Sequence, residues 1–147
     1  MAKNYYEPMH SAEHILNQTM VRMFNKGRSF SAHLEKKKSK CDYRLERDLS
    51  QSEISEIENK VNDIIKMNLD ITEEIINFSE AETNFNLQKL PNDVTEKVRI
   101  IKIGDYDACP CIGQHVKNTS EIGNFKIIST GFENNVLRIR FKLEENN

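Results

Sequence analysis

Ser50 and Glu53 head a run in which Ile54, Ile57, Val61, Ile64 and Ile65 recur at helical spacing, and no other feature constrains the fold as strongly. A serine there accepts from the backbone N–H three residues on while the glutamate reaches back to the serine's own N–H, which is a capping box. The run therefore predicts an amphipathic helix to about Asn68, with one apolar face that other elements must cover.

The rest of the chain supplies the cover. From Pro8 to about Asn25 a second helix is expected, with Pro8 tolerated in its first turn and Ala12, Leu16, Met20 and Met23 forming an apolar stripe. Phe30 to Leu34 and Cys41 to Leu45 alternate apolar and polar residues around Lys36, Lys37, Lys38 and Lys40, as a hairpin with lysines at its tip would. A short strand is expected from Ile71 to Phe78, then a small helical or irregular segment from Glu80 to Leu90 that Pro91 ends. Val98 to Ile103 has the composition of a buried strand, and Phe125 to Ser129 with Leu137 to Leu143 forms a hairpin turned around Gly131 to Asn135. In its last strand Leu137, Ile139, Phe141 and Leu143 alternate with Arg138, Arg140 and Lys142. Helix, strand pair, helix and then mostly strands define an α+β fold, an antiparallel β-sheet packed by two main helices.

With 147 residues, one domain spanning 1–147 is the expected organisation. No stretch approaches the roughly 20 apolar residues that cross a bilayer, and the first residues lack the apolar core of a signal peptide. Together with three cysteines, a poor disulfide framework, this points to a cytoplasmic protein. A formal charge of −2 argues against holding long nucleic acid by bulk electrostatics, while a local basic patch can still grip a few phosphates. No membrane and no stable protein partner is expected.

Two pairs of residues carry the chemistry. His10 and His14 lie one turn apart on the first helix, about 40° apart on its wheel, so their rings can converge on one cation. Alone, such a pair more often marks a polar or hydrogen-bonded helix face than a metal site. Cys111 and His115, on a segment containing Gly113, add a thiolate and a third imidazole and complete a nitrogen-and-sulfur set of four, the kind zinc prefers to magnesium or calcium. Cys109 either pairs with Cys111 as a redox couple or is a small buried neighbour, with Pro110 stiffening the turn that aims Cys111.

The stretches His10-Ser11-Ala12-Glu13-His14-Ile15-Leu16 and Cys111 to Gly123 together resemble the editing domain of alanyl- and threonyl-tRNA synthetases and of free-standing AlaX-type trans-editing proteins. Order and separation match across essentially the whole chain. The resemblance implies the common editing-domain fold, zinc on His10, His14, Cys111 and His115, and hydrolysis of serine or glycine wrongly joined to the tRNA for alanine. Val116 to Gly123 is more similar to the alanine group, and the chain looks like a short form acting in trans. Where alanyl members usually have two glycines and a threonine, this chain has Ile112, Gly113 and Gln114. The alternatives are a deacylase of seryl-tRNA for threonine and a non-catalytic zinc-containing module that binds RNA or protein.

An aminoacyl ester is labile, so the enzyme has mainly to place it, orient a water and stabilise the oxyanion. Four protein ligands usually close a zinc site, whereas catalytic zinc keeps a position open. Hence either substrate or water expands the coordination, or a ligand leaves, or zinc organises the pocket while a free water attacks. His33, on the polar face of the hairpin, is a candidate general base or contact to the terminal adenosine. Lys36, Lys37, Lys38 and Lys40, with Arg138, Arg140 and Lys142, are candidate phosphate contacts for the acceptor end of tRNA.

Overall fold

The computed structural model describes residues 6–85 and 97–145. The elements run α1 (Glu7–Phe24), β1 (Ser31–His33), β2 (Ser39–Arg44), α2 (Gln51–Lys66), β3 (Ile71–Asn77), α3 (Phe78–Asn84), β4 (Lys97–Ile103), β5 (Asp107–Pro110), a 3₁₀ turn (Thr119–Glu121), β6 (Asn124–Glu133) and β7 (Val136–Glu144). The architecture is α+β and wholly antiparallel, but the strands divide into two sheets, in the orders β1-β2-β7-β6 and β3-β4-β5. Among the described residues the two sheets do not join into one. β5 pairs with β4 from Ile100 opposite Pro110 to Ile103 opposite Asp107, so Pro110 ends a strand rather than stiffening a turn.

Helix α2 begins as its capping box requires: Ser50 Oγ accepts from Glu53 N at 3.2 Å and Glu53 Oε1 accepts from Ser50 N at 2.9 Å. Its buried Ile57, Val61 and Ile65 join Met9, Ala12, Leu16 and Met20 of α1 over Cys41 and Tyr43 of β2 and Leu137, Ile139 and Phe141 of β7. Both helices thus bury their apolar faces in one core with the four-stranded sheet. A smaller cluster of Ala81, Val98 and Ile100 joins α3 to β4. α3 occupies the first part of the segment expected from Glu80 to Leu90; its remainder and Pro91 lie outside the described residues.

The second hairpin turns more tightly than Gly131 to Asn135, because β6 continues to Glu133, which faces Val136. Only Asn134 (φ 54°) and Asn135 (φ 60°) form the bend. Two left-handed residues make the turn whose twist matches the strands, and asparagine tolerates that conformation better than other side chains. Asn135→Ala is expected to cost about 1 kcal/mol in thermal unfolding, and Asn135→Gly nothing. Gly123 is needed for closeness as well as for its φ of 94°: a Cβ there would sit 2.7 Å from the Glu144 carbonyl oxygen.

Candidate metal centre

Helix α1 and the segment after β5 build the site between them. Pro8 stands in the first turn of α1, so its missing N–H costs nothing and His10 and His14 fall on a regular helix. The opposing segment is tied to β4: Cys111 N donates to Arg99 O at 3.1 Å, and Arg99 Nη1 donates to the carbonyls of Cys111 and Gly113 at 3.2 and 2.6 Å. Arg99 is a strand residue, so this loop is set by the three-stranded sheet.

One ligand atom from each of His10, His14, Cys111 and His115 lies within 4.8 Å of the others, and the four could hold a metal ion. Each imidazole is turned by a neighbour. His10 Nδ1 lies 3.2 Å from Gln114 O, and its Nε2 lies 3.4 Å from Cys111 Sγ. A proton on Nδ1 shared with that carbonyl leaves Nε2 as a lone-pair donor, the form a metal takes. Ser11 Oγ accepts from Val116 N at 3.3 Å and pairs with His115 Nδ1 at 3.0 Å. The other ring nitrogen of His115, Nε2, is buried without a hydrogen-bond partner. A buried nitrogen with no partner is costly, and an ion shared with Cys111 would satisfy it, so the residues fit a metal.

His14 is 3% exposed, and its Nδ1 faces Asp107 Oδ2 at 3.6 Å, an ion-pair distance rather than a hydrogen bond. Asp107 is itself fastened by Gln18 Nε2 at 2.8 Å and by both guanidinium nitrogens of Arg28 at 2.7 and 3.2 Å. Burial opposes charge on His14, yet Asp107, Cys111 and Glu13 outweigh it and raise its pKa to about 9. Burial likewise opposes ionisation of Cys111, but the imidazoles of His10, His115 and His14 around its sulfur outweigh it and hold the thiol at about 3, as thiolate. Burial lowers His115 to about 4. Without metal the centre is a thiolate beside an imidazolium, and a cation replaces the proton. A carboxylate behind a ligating histidine fixes ring orientation, so Asp107→Asn is expected to weaken metal affinity 10- to 100-fold, roughly, in chelator competition.

Cys109 behaves differently from Cys111. Both are free, and burial pushes the Cys109 thiol up to about 11, a neutral neighbour rather than a nucleophile. Glu13, between the histidines in sequence, is buried: Asn17 Nδ2 donates to its Oε2 at 3.2 Å, while Oε1 lies 3.8 and 4.0 Å from Nε2 of His10 and His14. Glu13, Asp107, Arg28 and Ser11 were not apparent from residue type alone. The one available signal was the carboxylate in His10-x-x-Glu13-His14, three residues from His10 and so its neighbour on the helix surface.

The remaining candidates are not in this cluster. His33 is exposed on β1, an edge strand, and is ion-paired with exposed Glu35. Lys36, Lys37 and Lys38 are in the β1–β2 connection, with Lys36 Nζ 5.7 Å from the Tyr6 ring centroid. Lys40 faces Arg140 across β2 and β7, and Arg138 is bidentate on Asp42 at 2.8 and 2.9 Å. Among the described residues no helix is long and apolar enough to cross a membrane.

This combination, an α+β domain whose first helix and a late loop present a His₃Cys set, defines a class of metal-competent single-site domains. Comparison with known proteins narrows it. The family described as "Threonyl and Alanyl tRNA synthetase second additional domain" matches residues 98–147. The chain is 30% identical over 137 residues to an alanine–tRNA ligase of Aeropyrum pernix, covering 90% of this chain and 15% of that one. It is 32% identical to those of Fervidobacterium nodosum and Clostridioides difficile, over 82% and 83% of this chain. The chain therefore belongs to the AlaX-like editing-domain family related to alanyl-tRNA synthetases. It spans about 15% of the length of the curated relatives it matches.

Proposed function

We propose that the chain is a zinc-dependent deacylase that removes serine, or glycine, from tRNA for alanine. The observation that carries this is the convergence of His10, His14, Cys111 and His115 from elements about a hundred residues apart, in a chain of this family. A donor set of three imidazoles and a thiolate suits zinc. That the relatives described above are alanine–tRNA ligases supports alanine over threonine. The changes at Ile112 and Gln114 leave the ligands undisturbed: Ile112 is 68% exposed, and Gln114 uses its carbonyl, which any residue has, to turn His10.

Zinc, when bound, supplies a Lewis acid that anchors and polarises the substrate. The chain does the rest. Gln114, Ser11 and Asp107 each orient one imidazole, Arg99 holds the loop that carries Cys111, and these fixed groups give the precision that positioning an ester demands. His33, exposed beside the hairpin lysines, is assigned in this scheme to the RNA end, together with Lys36, Lys37, Lys38, Lys40, Arg138 and Arg140.

Metal-loaded protein incubated with seryl- and glycyl-tRNA for alanine and with seryl-tRNA for threonine is expected to release amino acid fastest from the first two. Release only from the third moves the specificity to threonine. A zinc-bound protein that frees nothing from any mischarged tRNA is the non-catalytic module instead.

A further inference from the structure

We infer that Glu13 is the general base of this site, an assignment that rests on the deacylase proposed above. Its carboxylate is buried and oriented from behind. Tyr43 Oη donates to Asn17 Oδ1 at 2.7 Å and Ser29 N donates to the same oxygen at 3.2 Å, which fixes the amide so that Nδ2 faces Glu13. Nδ2 then donates to Glu13 Oε2 at 3.2 Å. This relay of buried groups leaves Oε1 turned to the metal-ligand face, 3.8 Å from His10 Nε2 and 4.0 Å from His14 Nε2. Both are ion-pair separations beyond hydrogen-bond range, so Oε1 faces both imidazoles without a direct hydrogen bond to either.

A glutamate three residues after His10 is its neighbour on the helix surface, and Oε1 also comes within 4.0 Å of His14. His-x-x-Glu-His is the reverse of the order in which metallopeptidases place a glutamate base beside two histidine ligands. The four-residue ligand set closes the metal's own coordination in the usual case, which leaves activation of water to a neighbouring carboxylate. Asp107 is not available for this, because Arg28, Gln18 and His14 occupy both of its oxygens.

The step balances. Glu13 Oε1 accepts one proton of a water as the water oxygen forms a bond to the ester carbonyl carbon. The tetrahedral adduct then collapses, breaking the bond to the ribose oxygen, and that oxygen takes the proton back from Glu13. Free amino acid and the intact tRNA terminus result, with no oxidant or co-reactant beyond water.

The test uses the metal-loaded protein and three variants, Glu13→Gln, Glu13→Asp and Glu13→Ala. Glu13→Gln is expected to lower kcat about 10²- to 10⁴-fold with KM little changed, while zinc affinity and the visible spectrum of the cobalt-substituted protein stay as in the parent. Glu13→Asp should retain part of the activity, and added formate should restore part of it to Glu13→Ala, which a purely structural role would not allow. Loss of metal binding in Glu13→Gln makes Glu13 a ligand and overturns the assignment. A rise in KM at constant kcat makes it a subsite for the substrate ammonium and overturns it equally, as does undiminished activity. A parent protein inert on every mischarged tRNA fails at the earlier step and removes the deacylase itself, a result distinguishable from an active parent with an equally active Glu13→Gln.

Discussion

Replacing His14 with alanine is expected to abolish metal binding and deacylation together. His14 is the most deeply buried of the four candidate ligands, and it is the one backed by a fixed carboxylate. Its removal leaves a set of three, and Asp107, already held by Arg28 and Gln18, is not free to take its place. The loss of affinity should carry a pH signature. In the metal-free protein His14 keeps its proton up to about pH 9, whereas Cys111 and His115 have lost theirs by about 3 and 4. A metal takes only neutral imidazole, so between pH 6 and 8 the proton displaced from this trio comes from His14. Affinity therefore rises with pH, about tenfold per unit for one displaced proton, and levels off near 9. Chelator competition at pH 6, 7 and 8 on the parent protein measures the slope. A flat profile, or a His14→Ala protein that still binds zinc tightly, would contradict the arrangement of the centre.

The parts of this fold legible in the sequence are those decided within a few residues. The capping box at Ser50 and Glu53 and the isoleucines behind it specify α2 locally, and the structure forms that helix where they place it. Pro8 and the stripe from Ala12 to Met20 do the same for α1. β5 was not legible because Asp107-Ala108-Cys109-Pro110 shows no alternation and ends in a residue that cannot donate to a ladder; its pairing is imposed by β4. Division of the strands into two sheets depends on which edges meet across the chain, and nothing in a strand's own composition states that.

At the site the same division holds. The ligands could be proposed because type and spacing restrict what binds a soft cation. What turns each ring could not, since Gln114 acts through its backbone, Ser11 and Glu13 look like ordinary helix residues, and Asp107 and Arg28 meet His14 only after β5 and the α1–β1 connection are in place. His33 is a strand residue, as alternation suggests, but β1 is exposed throughout and supplies none of the four clustered side chains.

The second large effect is expected at Asn17. Its amide is the junction of the core and the site, receiving Tyr43 Oη and Ser29 N on Oδ1 and donating to Glu13 from Nδ2, with Asn17 and Tyr43 3% and 1% exposed. Asn17→Ala removes one side chain but strands three groups: a phenol whose own ionisation burial suppresses strongly, a backbone N–H and a carboxylate. Leaving a buried polar group unsatisfied costs about 1–3 kcal/mol, more for a charged one. The costs do not add fully because water can enter the vacated space, so a loss of about 3 kcal/mol is expected, or roughly 6–12 °C in Tm for a chain of this size. The companion change Tyr43→Phe deletes a donor and leaves Asn17 Oδ1 its bond to Ser29 N, so it should cost only about 1 kcal/mol. Thermal and urea unfolding of the metal-free proteins would measure both. If Asn17→Ala lost less than Tyr43→Phe, the amide would not be the group that joins Glu13 to the core, and the orientation of that carboxylate would need another cause.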